Sequence, residues 1–304
     1  MELNSFFVTD DEAGERLDKL LFQHYKGEQS RTYFQYLIND GHVLVNGAIV
    51  KKRCKPNAQD QIEVEFTITP EIDLKAEDIP LDILFEDEHF LAVNKPVGMV
   101  VHPAPGHWTG TFVNALLGYC KSLSEEEFTT LRPGIVHRLD KETSGVLIAA
   151  KNTSVQQGLQ ELFAKREIRK EYIAICLGNP GTGTINAPIQ RHPHKRKEMC
   201  IAKEGGRSAV THFETLKTFG RLSLIKLRLE TGRTHQIRIH MKYRGTPILG
   251  DSIYGQDTAN KRHGVHRQML HAYRLEFTHP VTGEPCKFEA PCPHDMSILI
   301  DKIK

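Results

Sequence analysis

The sequence has 304 residues, 39% hydrophobic and 26% charged, with 40 Lys and Arg against 38 Asp and Glu for a formal net charge of +2. That length suggests two domains, and the apolar content excludes wholesale disorder. Taken whole, the near-neutral charge points to no partner, because a sum can hide a distribution.

In chain order, residues 1–70 read as a small separate unit. Leu17, Leu20, Leu21 and Phe22 fall within one helical repeat and give an apolar stripe. Ser30 is a candidate N-cap for a second short helix, which Gly41 closes. In HVLVNGAIV, Asn46-Gly47 between two apolar runs predicts a hairpin. Ile62, Val64 and Phe66 alternate as one face of a strand. Between hairpin and strand lies a basic cluster of Lys51, Lys52, Arg53 and Lys55.

Residues 71–88 carry eight acids against one base, Lys75, with Pro70 and Pro80 as punctuation. We read 71–82 as an acidic, solvated linker that runs into a larger domain over 83–304. In that domain Ile83–Phe85 and Phe90–Val93 predict a hairpin, and Phe112–Tyr119 a helix. Val146–Ala150 reads as a buried strand. Thr153 is a candidate cap for a helix reaching Phe163. Tyr172–Leu177, Thr211–Leu216, Leu222–Leu229 and Leu270–Phe277 read as strands, and Thr234 caps a short helix ending near Gly245. Helices and strands mix without a βαβ rhythm. The expected class is therefore α+β: a mainly antiparallel mixed sheet with flanking helices, plus the small N-terminal α/β domain.

No run of about 18 apolar residues predicts a membrane span. The acidic start MELNSFFVTDDEAGE is unlike a secretory signal, so a cytoplasmic location is expected. The six cysteines form no C-x-x-C pair and are expected to be reduced, mostly buried thiols. Neither the histidines nor the cysteines have zinc spacing. No phosphate-binding G-x-x-x-x-G-K-[ST] loop, G-x-G-x-x-G turn or G-x-S-x-G elbow occurs. We expect no metal and no cofactor.

The charge is unevenly placed. Residues 191–245 hold fourteen Lys and Arg against four Glu, a local +10. With the Lys51–Lys55 cluster, that makes two basic surfaces on a near-neutral chain. They suit a polyanion such as RNA, whose neutralised phosphates release counterions; a solvated face with scattered salt bridges is the alternative.

The densest polar cluster is RPGIVHRLDKETSG, residues 132–145. His137, Arg138 and Asp140 interrupt two apolar segments, where a cleft residue is expected. Asp140 has bases on both sides, Arg138 and Lys141. Nearby positive charge keeps a carboxylate ionised, as a nucleophile or base requires, though a structural salt bridge fits the spacing as well. A second cluster is LETGRTHQIRIH, residues 229–240. His235, Arg238 and Lys242 share a face of the predicted helix, and Arg238 can pair with a carboxylate such as Asp140 or hold a phosphate.

Four ordered segments, HRLDKETSG (137–145), KREIRKEY (165–172), LETGRTHQIRIH (229–240) and GDSIYG (250–255), resemble the RluA family of RNA pseudouridine synthases. VNKPVGMVVHP and LHAYRLEFTHPVTGE resemble that family's flanking segments, and PIQRHPHKRKEMCI is similar to its synthase D subgroup, which acts on large-subunit ribosomal RNA. ERLDKLL and SRTYFQYLINDGHVLVNG resemble the alpha-L RNA-binding motif. The resemblance implies cofactor-free isomerisation of uridine: the N1 glycosidic bond breaks, the base turns, and C5 bonds to the ribose carbon. It makes Asp140 the catalytic aspartate, as nucleophile on the sugar or as base. Tyr172 would stack on the base, and Arg238 would pair with Asp140. Arg138 would fill the gap left by a flipped nucleotide and Leu270 would wall the base. His137, Arg233, His235 and the basic trio Lys51, Lys52 and Arg53 are further substrate-binding candidates. A monomer acting on ribosomal RNA is expected, with transfer RNA, a non-catalytic RNA-binding factor, or a glycosidic-bond hydrolase as alternatives. The last would want a second carboxylate across the bond.

Overall fold

The computed structural model describes residues 3–25, 31–51, 53–66, 75–102, 109–120, 133–195 and 198–303. The chain divides into two compact units near residue 75.

The smaller unit contains β1 (Leu3–Phe7), α1 (Leu17–His24), α2 (Arg31–Asn39), β2 (Val43–Val45), β3 (Ala48–Ile49) and β4 (Gln61–Glu65). Its antiparallel sheet runs β1-β4-β2-β3. The apolar stripe of α1 (Leu17, Leu20, Leu21) packs with Phe34, Leu37 and Ile38 of α2 against Val43, Ile62 and Val64, all buried. Asp18 lies fully buried among them and accepts hydrogen bonds from Arg16, Arg31 and Gln35. Their positive charge and donors outweigh burial and hold its carboxyl down at about 2. Asn46 and Gly47 both take positive φ (52° and 74°), as the predicted hairpin turn demands. Phe22 departs from its stripe and is exposed. The proposed cap Ser30 lies outside the described residues, as does Lys52; Lys51 and Arg53 are exposed.

The larger unit is built on a nine-stranded mixed sheet. Its strands are β5 (Ile83–Glu86), β6 (Phe90–Lys95), β7 (Ser144–Ala150), β8 (Arg169–Leu177), β9 (Thr182–Asn186), β12 (Val210–Phe219), β13 (Leu222–Leu229), β14 (Leu270–Thr278) and β15 (Pro285–Glu289). The order is β5-β6-β7-β14-β8-β13-β12-β9, with β15 also on β14. Every pairing is antiparallel except β7 with β14. A separate ribbon joins β10 (Ile189–Arg191) to β11 (Met199–Ile201). The helices are α3 (Phe112–Tyr119), α4 (Thr153–Lys165), α5 (Gln236–Tyr243), α6 (Asp257–His263) and α7 (His294–Ile303). The α+β class with a mainly antiparallel sheet holds.

Alternation along β8 divides its neighbours between two faces. Tyr172, Ala174 and Cys176 pack with Ile237 and Met241 of α5. Ile173, Ile175 and Leu177 pack with Leu222 and with Met296 and Leu299 of α7.

The structure corrects several sequence expectations. Lys75 and Glu77 are bonded at and just before α3, while five of residues 75–82 are exposed. Glu77 accepts from the Gly110 amide and Asn114 donates to the Lys75 carbonyl. The cap of α4 is Asn152, whose side chain accepts from Val155 N–H, so Thr153 is already helical. The cap of α5 is His235, in the left-handed region at φ 57° with no side-chain capping bond, one residue beyond Thr234. There Gln236 folds back to accept from Arg233 N–H and the Thr231 hydroxyl. All six cysteines are unpaired, but only Cys120 and Cys176 are buried; the other four are half-buried.

Candidate active site

Asp140 sits in the loop that leads into β7. Its backbone carbonyl accepts from Thr143 N–H, closing a tight turn. The backbone just after it is held from several directions. Lys95, at the end of β6, is fully buried and donates to the carbonyls of Pro96, Met99 and Lys141 at 2.6, 3.0 and 3.2 Å. Arg267 donates to the Glu142 carbonyl and forks onto Asp295 of α7. Gln268 donates to the Thr143 hydroxyl. Burial lowers the Lys95 ammonium to about 8, against the pull of Glu142 and Asp140. Sequence reading passed over Lys95, because a single lysine after an apolar strand resembles a solvated strand end.

Arg238 reaches Asp140 from the first turn of α5. Its Nη1 donates to Asp140 Oδ2 at 3.0 Å, while Nε and Nη2 fork onto Asp251 at 2.7 and 3.0 Å. Asp251 also accepts from the amides of Ile253 and Tyr254. Its side chain is fully buried, and Arg238 is 4% exposed, whereas Asp140 is 19% exposed. One carboxylate is thus locked and inner, the other partly open to solvent. Burial works against the Arg238 charge, but the two carboxylates outweigh it and raise its pKa. Burial likewise works against the Asp251 carboxylate, and the bonds from Arg238 hold it ionised. Asp251 was not singled out from the sequence, although it lies within the GDSIYG segment.

The predicted shared face of α5 is real. His235, Arg238 and Lys242 converge on the ring of Tyr254, the two cations at 5.1 and 5.5 Å from its centre. His235 Nδ1 and the Tyr254 hydroxyl share a hydrogen bond of 2.9 Å, and His235 Nε2 lies 3.9 Å from Asp140 Oδ1. Burial lowers the His235 imidazole despite the attraction of Asp140.

Tyr172 is half-buried on β8, against the cluster that includes Leu270 and Ile237. Burial first, then the negative charge of Asp140, push its phenol upward, so it stays protonated at neutral pH. Arg138 is exposed. His137 turns to the scaffold: its Nε2 accepts from Ile148 N–H and its ring stacks on Phe163. Arg233 is half-buried and donates through Nε to the Ser208 carbonyl. Lys51 and Arg53 belong to the smaller unit.

Residues 89–243 match the model of the RNA pseudouridylate synthase family, and the chain is 44% identical to an uncharacterized RNA pseudouridine synthase of Bacillus subtilis over 98% of its own length and 97% of that protein. The chain belongs to the RNA pseudouridylate synthase family. It is an RNA pseudouridine synthase, and its residues 15–60 match the S4 domain. It is also 40% identical to a ribosomal large subunit pseudouridine synthase D of Vibrio parahaemolyticus, covering 98% of this chain and 93% of that one. The corresponding enzyme of Xanthomonas campestris is 38% identical over 99% and 93%. Among solved structures, human RNA pseudouridylate synthase domain containing 4 aligns with a TM-score of 0.58 at 25% identity, over 73% of this chain and 92% of that one. Asp140, Tyr172 and Arg238 fall inside the matched synthase region, whereas Asp251 and Leu270 follow it.

Proposed function

We propose that this synthase isomerises specific uridines in a stem-loop of large-subunit ribosomal RNA, with Asp140 as the acting carboxylate. The observation that carries the reading is the Asp140–Arg238–Asp251 chain. It presents one partly open carboxylate whose arginine partner is fixed by a second, fully buried carboxylate. The ribosomal substrate is inferred from the synthase D relatives, which are similar along nearly the whole chain.

The isomerisation breaks C1′–N1, forms C1′–C5, and moves one proton from C5 to the nitrogen set free. Asp140 acts on the ribose, by attack at C1′ or by taking a ribose proton. Both routes need the carboxylate held in place, which the hydrogen bond from Arg238 supports. The uridine must leave its stack first, at a cost of a few kcal/mol. Basic contacts to the backbone offset that cost, and Arg138, exposed beside Asp140, enters the vacated space. The base then lies on Tyr172 with Leu270 as its apolar wall. A protonated phenol suits stacking under the base, because it adds no second negative charge beside Asp140. His235 and Arg233 border the substrate from the start of α5, and His137 supports the loop from beneath. Lys51, Lys52 and Arg53 of the small unit hold RNA outside the site, in a monomer acting in the cytoplasm.

Pseudouridine mapping of ribosomal and transfer RNA, from cells with and without this chain, tests the substrate. Loss of a signal in large-subunit RNA is expected; loss confined to transfer RNA would overturn the assignment. Asp140→Ala is expected to abolish product formation and leave RNA affinity intact. Joint loss of binding and fold would instead make Asp140 a structural ion-pair member.

A further inference from the structure

On the larger unit, a groove of about 800 Å³ lies between the β12–β13 turn and helices α6 and α7. Its floor includes Leu222 and Leu299, and its rim carries Arg221, Arg262, His263 and Lys302. All four rim residues are exposed, and among the described residues no carboxylate side chain lines the groove. None of the four forms an ion pair with a described residue. Phe219, at the end of β12, stands 59% exposed on the same rim. The rim thus sets one exposed aromatic ring beside three permanent cations.

The groove is separate from the proposed catalytic site. Leu222 pairs with Leu177, five residues along β8 from Tyr172, roughly 17 Å of strand. Leu177 and Leu222 face α7, whereas Tyr172 faces α5. A uridine held at Asp140 therefore does not reach the groove.

The geometry points to a second RNA site in this groove, which takes a single-stranded segment other than the one that bears the target uridine. Cations spaced along a channel track phosphates, and an exposed aromatic ring offers a stacking platform to any base. An acidic protein segment would match the charge but would leave Phe219 without a flat partner. The inference rests on the proposed function only in its choice of polyanion. An RNA held at both places would be selected for two features at once, so the groove would help the enzyme discriminate a folded ribosomal RNA from an isolated stem-loop.

The test measures binding of the full chain to a fluorescein-labelled adenylate dodecamer across a salt series. That probe has no uridine to be modified. The triple variant Arg221→Glu, Arg262→Glu, Lys302→Glu is expected to bind at least about tenfold more weakly, with a log–log salt slope flatter by about two. Phe219→Ala is expected to weaken binding about fivefold or more. Both variants are expected to convert a short substrate stem-loop at the unaltered rate. Unchanged affinity and slope would overturn the site. Retained adenylate binding with lost polyglutamate binding would overturn it in favour of an acidic protein partner. Loss of stem-loop conversion would overturn its separation from Asp140. If the unaltered chain formed no pseudouridine in any RNA, the proposed function would fall, and the adenylate data would still decide the groove.

Discussion

Asp251 is fully buried, and its side-chain link to Asp140 runs through Arg238. In Asp251→Asn one oxygen cannot accept both arms of the guanidinium fork, and Arg238 becomes free to swing. A misplacement near 1 Å can cost about 100-fold in rate, and kcat is expected to fall by that order with KM for RNA little changed. Steady-state kinetics on the mapped substrate reads the split; an unchanged kcat would show that Arg238 is held without its inner partner. His137 supplies a second expectation, in pH. Burial, then Lys170, lowers its imidazole to about 3, from an ordinary value near 6.5. Between those values the unfolded chain binds the proton and the folded chain does not, so stability is lost as pH falls from about 6.5 toward 3. Urea unfolding at pH 7 and pH 5 should show a larger loss for the unaltered chain than for His137→Gln. The sequence exposed Asp140 because it interrupts apolar segments, and Arg238 because it shares a helix face with His235 and Lys242. It could not expose Asp251, whose side-chain partner Arg238 lies 13 residues away, or Lys95, whose partners are backbone carbonyls, because their meaning exists only once the loops are closed.

Gly145 shows how elements position those residues. It lies in the one parallel pairing described, opposite Ala272, with φ 114°. A Cβ built there would lie 2.2 Å from the Ala272 carbonyl oxygen, so backbone and not a flexible side chain would have to move. Gly145→Ala is expected to destabilise the unit by about 3 kcal/mol and to displace the Asp140 loop. A drop in thermal midpoint together with activity checks this; a stable, fully active variant would show that β7 and β14 can part without consequence. The long strands β8, β13 and β14 were readable because their apolar residues dominate whole segments. Thr182–Asn186 and Pro285–Glu289 were not, since each buries only one side chain and otherwise presents polar residues. Helix α6, with the polar sequence DTANKRH, hides for the same reason. The cap of α5 was misplaced by one residue because a left-handed histidine is rarely expected there.

Across the whole molecule, net charge proved a poor guide and its placement a good one. In residues 191–245 three of the four acids are already neutralised, Glu198 by Lys195, Glu214 by Lys226 and Glu230 by His212 when that histidine is protonated. Arg238 spends its charge on Asp140 and Asp251. Residues 191–245 lie on the unit that also contains Asp140, Tyr172 and Asp251, while the Lys51–Arg53 cluster lies on a unit with a sheet and buried core of its own. Chemistry and part of the RNA affinity therefore belong to different compact units. Removal of residues 1–74 is expected to leave kcat at saturating RNA within about twofold, because no proposed catalytic group is lost. KM should rise about tenfold, and the salt slope of binding should flatten by roughly two to three if Lys51, Lys52 and Arg53 are the residues of this unit that contact phosphates. Kinetics and salt-dependent binding of the truncated and full chains, measured on the same transcript, separate these effects. A fall in kcat with KM unchanged would mean that the small unit shapes the catalytic site and does not simply hold the RNA.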